Sequence, residues 1–354
     1  MIPADLGAEL SRAISAAIAA GELPPDAAGI DAAGTWRPPP DRDDASYATS
    51  LPFELAQATG NAPAVIASLL ATRLRATKGI SAAEPTGGGY LTITVTPEAL
   101  AGLAVRIVRA GPGCARSTAL RGTTVPMPPP PDLAAAPTWR QAWHEQAAAL
   151  TGRLADAAGA TFDQHLQRPA RPGGPGPERR GPVLDAVGYA GADAVRYGLA
   201  RSLTSPPDDV EASAFVAANL ADPYYAVGFA CADSASTTRW AADLGLSRGE
   251  PDGPLAGLLD QRAERALLWQ LSWLAEKVAG AARRRRPAEL PRFLEEVARA
   301  WLDCRENCPA LPFGGRAAPR STAGTSARLW LAEATRTVLA TGLDLVGITP
   351  QDRL

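Results

Sequence analysis

At roughly 150 residues per domain, the 354 residues of this chain suffice for two or three domains, and an apolar fraction of 46% excludes a wholly disordered polymer. Charge is balanced, 35 Lys plus Arg against 37 Asp plus Glu, so no net positive charge advertises a polyanionic partner. Only Lys78 and Lys277 are lysines.

Leu6, Leu10, Ile14 and Ile18 recur at four-residue steps and predict a buried helix stripe within residues 1–22, stopped by Gly21 and Pro24-Pro25. After a polar loop over 31–46, Leu51, Leu55, Val65, Ile66, Leu69 and Leu70 predict two helices, broken at Gly60-Asn61-Ala62-Pro63 and ending near Lys78-Gly79. Tyr90, Thr92 and Thr94 alternate with Leu91, Ile93 and Val95, which predicts a strand behind the turn at Gly87–Gly89, with a helix from Pro97. Residues 1–110 therefore read as an α+β module.

Composition shifts between 111 and 182. Pro128–Pro131 and the Pro/Gly run from Arg168 to Pro177 flank one alanine-rich helical stretch over 138–160, predicting a linker with one embedded helix. The two histidines of the chain, His144 and His165, fall here without a partner Ser or Cys motif, which favours packing or solvent-facing roles over catalysis.

From 183 to 354 the periodicity is helical, with helices expected over 183–203, 212–220, 223–244, 255–286, 290–308 and 327–340. Asp222 supplies an N-cap before Pro223 at the first helical position, and Gly245 closes that helix. These elements predict an all-α antiparallel bundle, and the whole chain is mainly α.

Several chemistries lack their residues. A phosphate loop needs Gly-Lys-Ser/Thr, but Lys78 precedes Gly79 and Lys277 precedes Val278. Cys114, Cys231, Cys304 and Cys308 form no Cys-x-x-Cys pair and have no neighbouring His, so no metal is expected; Cys304 and Cys308, one turn apart, read as small buried side chains. Asp5 and Glu9 near the start argue against a signal peptide, and Asp222-Pro223 interrupts the most apolar window, 212–232. The expectation is a cytoplasmic protein with no membrane partner and no cofactor.

Longer motifs carry a family resemblance. Leu184-Asp-Ala-Val-Gly-Tyr-Ala-Gly-Ala-Asp-Ala-Val-Arg-Tyr197 resembles the opening of the anticodon-binding domain of arginyl-tRNA synthetases, whose Asp-Ala-Leu-Arg (DALR) signature reads Asp193-Ala194-Val195-Arg196 here. Asp222-Pro-Tyr-Tyr-Ala-Val-Gly-Phe-Ala-Cys-Ala-Asp233 is similar to that family's Asn-Pro-Val-Tyr-Tyr-Val-Gln-Tyr-Ala-His-Ala-Arg helix, and the run from Ala327 to Ile348 with Pro350-Gln-Asp-Arg353 is similar to its C-terminus. Tyr47-Ala48-Thr49-Ser50 and Gly89-Tyr-Leu-Thr-Ile-Thr-Val-Thr-Pro-Glu-Ala-Leu100 resemble its additional N-terminal domain. Between these ends neither a His-x-Gly-His element nor a Lys-Met-Ser-Lys-Ser-like loop is present. The resemblance thus implies a non-catalytic synthetase-like protein that has lost the ATP-binding domain, with tRNA or another structured RNA as partner. Two rivals stand beside it: a protein-interaction or regulatory module that has abandoned RNA, and a residual or partner-completed arginine-tRNA ligase.

An RNA-binding bundle needs a local basic patch. Residues 283–328 hold ten arginines against five acids, and the candidate contacts are Arg283, Arg284, Arg285, Arg286, Arg292, Arg316, Arg320 and Arg328. The run 283–286 also suits a helix C-terminus, whose dipole favours cations. Tyr224, Tyr225 and Phe229 are candidates for stacking on unpaired bases, with core packing as the competing reading. Tyr47 and Ser50 are candidates in the first module, and Asp193 and Arg196 are expected to brace the bundle. Asp233 puts a negative charge where the family has an arginine, which is expected to weaken binding of that family's own anticodon.

Overall fold

The computed structural model describes residues 2–32, 34–39, 45–126, 128, 131–163, 181–202, 219–250, 255–311 and 322–353. The predicted helix at 212–220 has only its last two positions inside these ranges, and His165 and the Pro/Gly run at 168–177 lie outside them. Contacts divide the chain into two compact units, one of Met1–Arg109, Ala241–Glu276 and Cys304–Leu331, the other of Ala110–Trp240, Lys277–Asp303 and Ala332–Leu354.

The first unit is an α+β module. Helix α1 (Pro3–Ala19) buries Leu6, Leu10 and Ile14, as their spacing requires. Strands β1 (Trp36–Arg37) and β2 (Ser46–Thr49) lead into α2 (Leu51–Thr59) and α3 (Pro63–Leu74), separated by Gly60 in the left-handed region at φ 72°. Strands β3 (Ile80–Thr86) and β4 (Tyr90–Val95) complete an antiparallel sheet of order β1-β2-β4-β3, in which Tyr47 pairs with Ile93 and Glu84 with Thr92. Leu91, Ile93 and Val95 face inward from β4, where α2 and α3 pack. The helix expected from Pro97 is two, α4 (Pro97–Ala101) and α5 (Leu103–Ala110), parted at Gly102.

In the segment read as linker, β5 (Thr124–Pro126) and β6 (Thr161–Asp163) form a short parallel pair around α6 (Trp139–Ala157). This α6 is a core element: Trp139 and Ala142 share a cluster with Val183, Ala186, Val195 and Leu199. Those last residues come from α7 (Pro182–Ala190) and α8 (Ala192–Arg201), which replace the single helix expected over 183–203 because Gly191 turns the chain at φ 85°. Then come α9 (Pro223–Asp243), α10 (Arg262–Leu271), α11 (Leu274–Arg284), α12 (Glu289–Asn307) and α13 (Ala323–Val346). The expected helix over 255–286 is broken between α10 and α11. The Ser272 hydroxyl bonds the Trp269 carbonyl at 2.5 Å and accepts from the Tyr47 hydroxyl at 2.8 Å, so the segment turns where that side chain is held. Cys304 and Cys308 are both buried, as their spacing suggests.

Within the second unit, α6 satisfies the terminal carbonyls of α13. Gln146 Nε2 donates to the Val346 carbonyl at 2.9 Å, and Arg153 donates to Leu345 and Val346 at 2.6 and 2.8 Å. Helices α12 and α13 approach closely at Gly342, where an added Cβ would stand 2.3 Å from Leu294 Cδ2. Gly342→Ala is expected to lower stability by about 1–3 kcal/mol through overpacking. Equilibrium urea denaturation checks this; an unchanged midpoint would mean that Leu294 finds another rotamer.

Candidate nucleic-acid interface

The Asp193–Arg196 segment forms the first turn of α8. Ala194 and Val195 are buried, while Arg196 Nη1 donates to Asp193 Oδ1 at 2.8 Å one turn away. The charged pair thus braces its own helix, and Asp193 also suits the positive helix start. One turn on, Tyr197 is buried, its hydroxyl donating to the Pro291 carbonyl at 3.0 Å; burial pushes its phenol up, so it stays a neutral donor. Arg201 makes two bonds to Glu295, at 2.6 and 3.3 Å, and the hydrogen bond to Glu295 raises its guanidinium above the ordinary value. Between these groups and the start of α9 lies a cleft of about 230 Å³, lined by Tyr197, Gly198, Arg201, Ser202, Asp222 and Tyr224 among others.

Helix α9 begins as its sequence demands: Asp222 Oδ1 accepts the Tyr225 amide at 2.8 Å, and Pro223 stands at the first helical position. Tyr225 and Phe229, one turn apart, are half-buried and stacked, with ring centroids 6.1 Å apart and planes 20° from parallel. A half-open π-face on a rigid helix is the geometry that unpaired bases stack on. Asp233 points elsewhere. It is 9% exposed, and its Oδ2 accepts the Trp301 indole N–H at 2.9 Å, so the charge expected on the RNA face is instead a buried anchor between α9 and α12. Cys231 is buried too, and burial pushes its thiol up to about 11. Sequence reasoning missed Trp240, which is 54% exposed. It stands three turns beyond Phe229 and on the same side of the helix, and counting elevens along α9 would have found it.

The arginine candidates fall into separate roles. Arg283 is half-buried, while Arg284, Arg285 and Arg286 at the end of α11 and Arg292 in the first turn of α12 are exposed. Arg284 is paired with Glu289 at 2.5 Å. Arg316 and Arg320 lie outside the described residues. Arg328 belongs to the first unit, where its Nε donates to Glu264 Oε1 at 2.7 Å and its Nη1 to the Pro309 carbonyl at 3.2 Å. In that unit Tyr47 is fully buried, with ring centroids 5.4 Å from Trp273 and 6.4 Å from Trp269, and burial raises its phenol well above the usual value. Ser50 precedes α2 half-buried, its amide bonded to the Thr35 carbonyl at 3.1 Å. The structure therefore brings Tyr225 and Phe229 together on one helix and Arg284, Arg285 and Arg286 together at one turn, and places Tyr47 and Arg328 in packing roles.

Among the described residues no group of three or more His, Cys, Asp or Glu is arranged to hold a metal, and no helix is long and apolar enough to cross a membrane.

Comparison with known proteins adds to this geometry. Residues 6–95 match the arginyl tRNA synthetase N terminal domain, and residues 242–354 match the DALR anticodon binding domain; α7, α8 and most of α9 precede the second match. The arginine–tRNA ligase of Renibacterium salmoninarum is 35% identical over 172 residues, covering 49% of this chain and 30% of that ligase. The arginine–tRNA ligase of Micrococcus luteus is 35% identical over 175 residues, covering 49% of this chain and 31% of the ligase. The chain thus matches under a third of the length of these curated relatives. Among solved structures, Thermus thermophilus arginyl-tRNA synthetase shares the fold, with a TM-score of 0.66 at 14% identity and coverage of 100% of both chains. The chain is arginyl-tRNA synthetase-related, pairing an N-terminal α+β module with anticodon-binding-type helices.

Proposed function

We propose that this protein binds tRNA or another structured RNA through its anticodon-binding-type helices and carries out no aminoacylation. The carrying observation is the stacked Tyr225–Phe229 pair, half-open on α9, in a chain whose flanking domains both match a tRNA ligase family. The arginines at the end of α11 supply exposed positive charge for phosphates. Activating an amino acid with ATP needs positioned donors around the triphosphate. Among the described residues between the two matches, the parallel strands are the three-residue pair β5–β6, and the sequence offers no lysine between Lys78 and Lys277.

Filter binding with an arginine tRNA transcript tests this reading. Affinity is expected to fall with salt at a log–log slope of about −1.5 to −2 for two neutralised phosphates, and ATP–pyrophosphate exchange with arginine is expected to stay at the blank. Absence of any complex at low salt would remove the RNA function. Turnover above the blank would restore the ligase.

A further inference from the structure

Among the described residues, most helices that reverse through a left-handed residue do so on glycine. Gly21 (φ 73°) follows α1, Gly60 (φ 72°) follows α2, Gly245 (φ 71°) follows α9 and Gly347 (φ 91°) follows α13. Glycine is the residue that adopts this conformation without a Cβ clash. Helix α11 ends otherwise. Arg285 has φ 52°, the one positive value among the described non-glycine residues. Its amide bonds the Ala282 carbonyl at 3.2 Å, and the Arg286 amide bonds the Ala281 carbonyl at 2.9 Å. This is the paired reversal that places a glycine at the Arg285 position in most proteins.

A long side chain here is conformationally unfavourable, and the helix dipole does not explain it. The dipole is served by any cation in the last turn, and Arg283 and Arg284 already stand there. Packing does not explain it either, since Arg285 is exposed. Arg284 is occupied with Glu289, whereas Arg285 and Arg286 enter no ion pair among the described residues. The left-handed turn thus holds two consecutive uncompensated guanidinium groups just past the helix end.

We infer that Arg285, with Arg286, is a phosphate contact for the RNA backbone, retained against the conformational preference of its position. This rests on the RNA-binding reading above and gives the basic turn a specific role within it. The Arg285→Gly variant separates function from folding, because the two effects carry opposite signs. Its thermal midpoint is expected to stay level or rise by a few degrees. Its affinity for the arginine tRNA transcript at about 0.1 M salt is expected to fall about fivefold to tenfold, and its salt slope to become shallower by about one. Arg121→Ala, which removes an exposed arginine elsewhere in the second unit, is the charge control and is expected to change affinity less than twofold. If the wild-type chain binds and Arg285→Gly binds equally with the same slope, the inference falls while the RNA function stands. Equal losses from Arg285→Gly and Arg121→Ala also overturn it, because the effect is then one of general charge. If the wild-type chain forms no complex, both readings fall together.

Discussion

Arg328→Met is expected to destabilise the protein by about 1–3 kcal/mol, the range for leaving a buried acceptor without its partner, since Arg328 itself is part-exposed. Glu264 is fully buried at 0% exposure. Its Oε1 accepts from Arg328 Nε at 2.7 Å, and its Oε2 accepts the Gln261 amide at 3.0 Å, closing the start of α10. Methionine keeps most of the volume of the arginine stem and removes the charge, so the buried carboxylate would lose its Arg328 partner. Glu264→Gln in the same chain is expected to recover much of the loss, since a neutral amide oxygen can still accept from Gln261. Urea denaturation of the two variants checks this. A loss below about 1 kcal/mol for Arg328→Met would show that the pair behaves as an exposed one. An arginine committed to Glu264 is a brace for the fold, so the basic surface available to RNA is smaller than the arginine count of 283–328 suggests.

Local rules were legible: Asp222-Pro223 opens α9, Gly245 closes it, Pro63 opens α3, and the alternation at Tyr90–Val95 is a strand with its apolar side buried. Signals that depend on residues distant in the chain were not. Strand β2, Ser46–Thr49, is buried along its whole length and shows no alternation to read, and β3 contains two alanines and a proline that disfavour a strand until β4 pairs with it. At the break between α10 and α11, Ser272 accepts a hydrogen bond from Tyr47, 225 residues away. Asp233 looked like a surface charge because its partner, Trp301, lies 68 residues further on. The candidate site follows the same rule: its aromatic pair was visible as an i, i+4 spacing on one helix, whereas sorting exposed arginines from committed ones needed the fold.

Replacing Tyr225 and Phe229 together by alanine is expected to cut affinity for the arginine tRNA transcript by about 1–3 kcal/mol per stacked base, so roughly thirtyfold or more if both rings are used. Alanine alone cannot decide the matter, since both rings also touch their own helix and part of any loss could come from loosened packing. Phe229→Leu decides it. Leucine keeps a comparable apolar volume on a half-buried site, so stability is expected to change by less than about 1.5 kcal/mol, while the flat π-face that a base stacks on is gone. Tyr225→Phe provides the opposite control, retaining the face and losing only the hydroxyl, and is expected to bind as the wild type does. Filter binding at fixed salt, with urea denaturation of each variant, separates the two roles of these rings. Loss of affinity in Phe229→Leu with stability preserved supports base stacking on α9. A variant that binds normally but melts early would return this pair to the core and move the search for the RNA surface to the basic turn after α11.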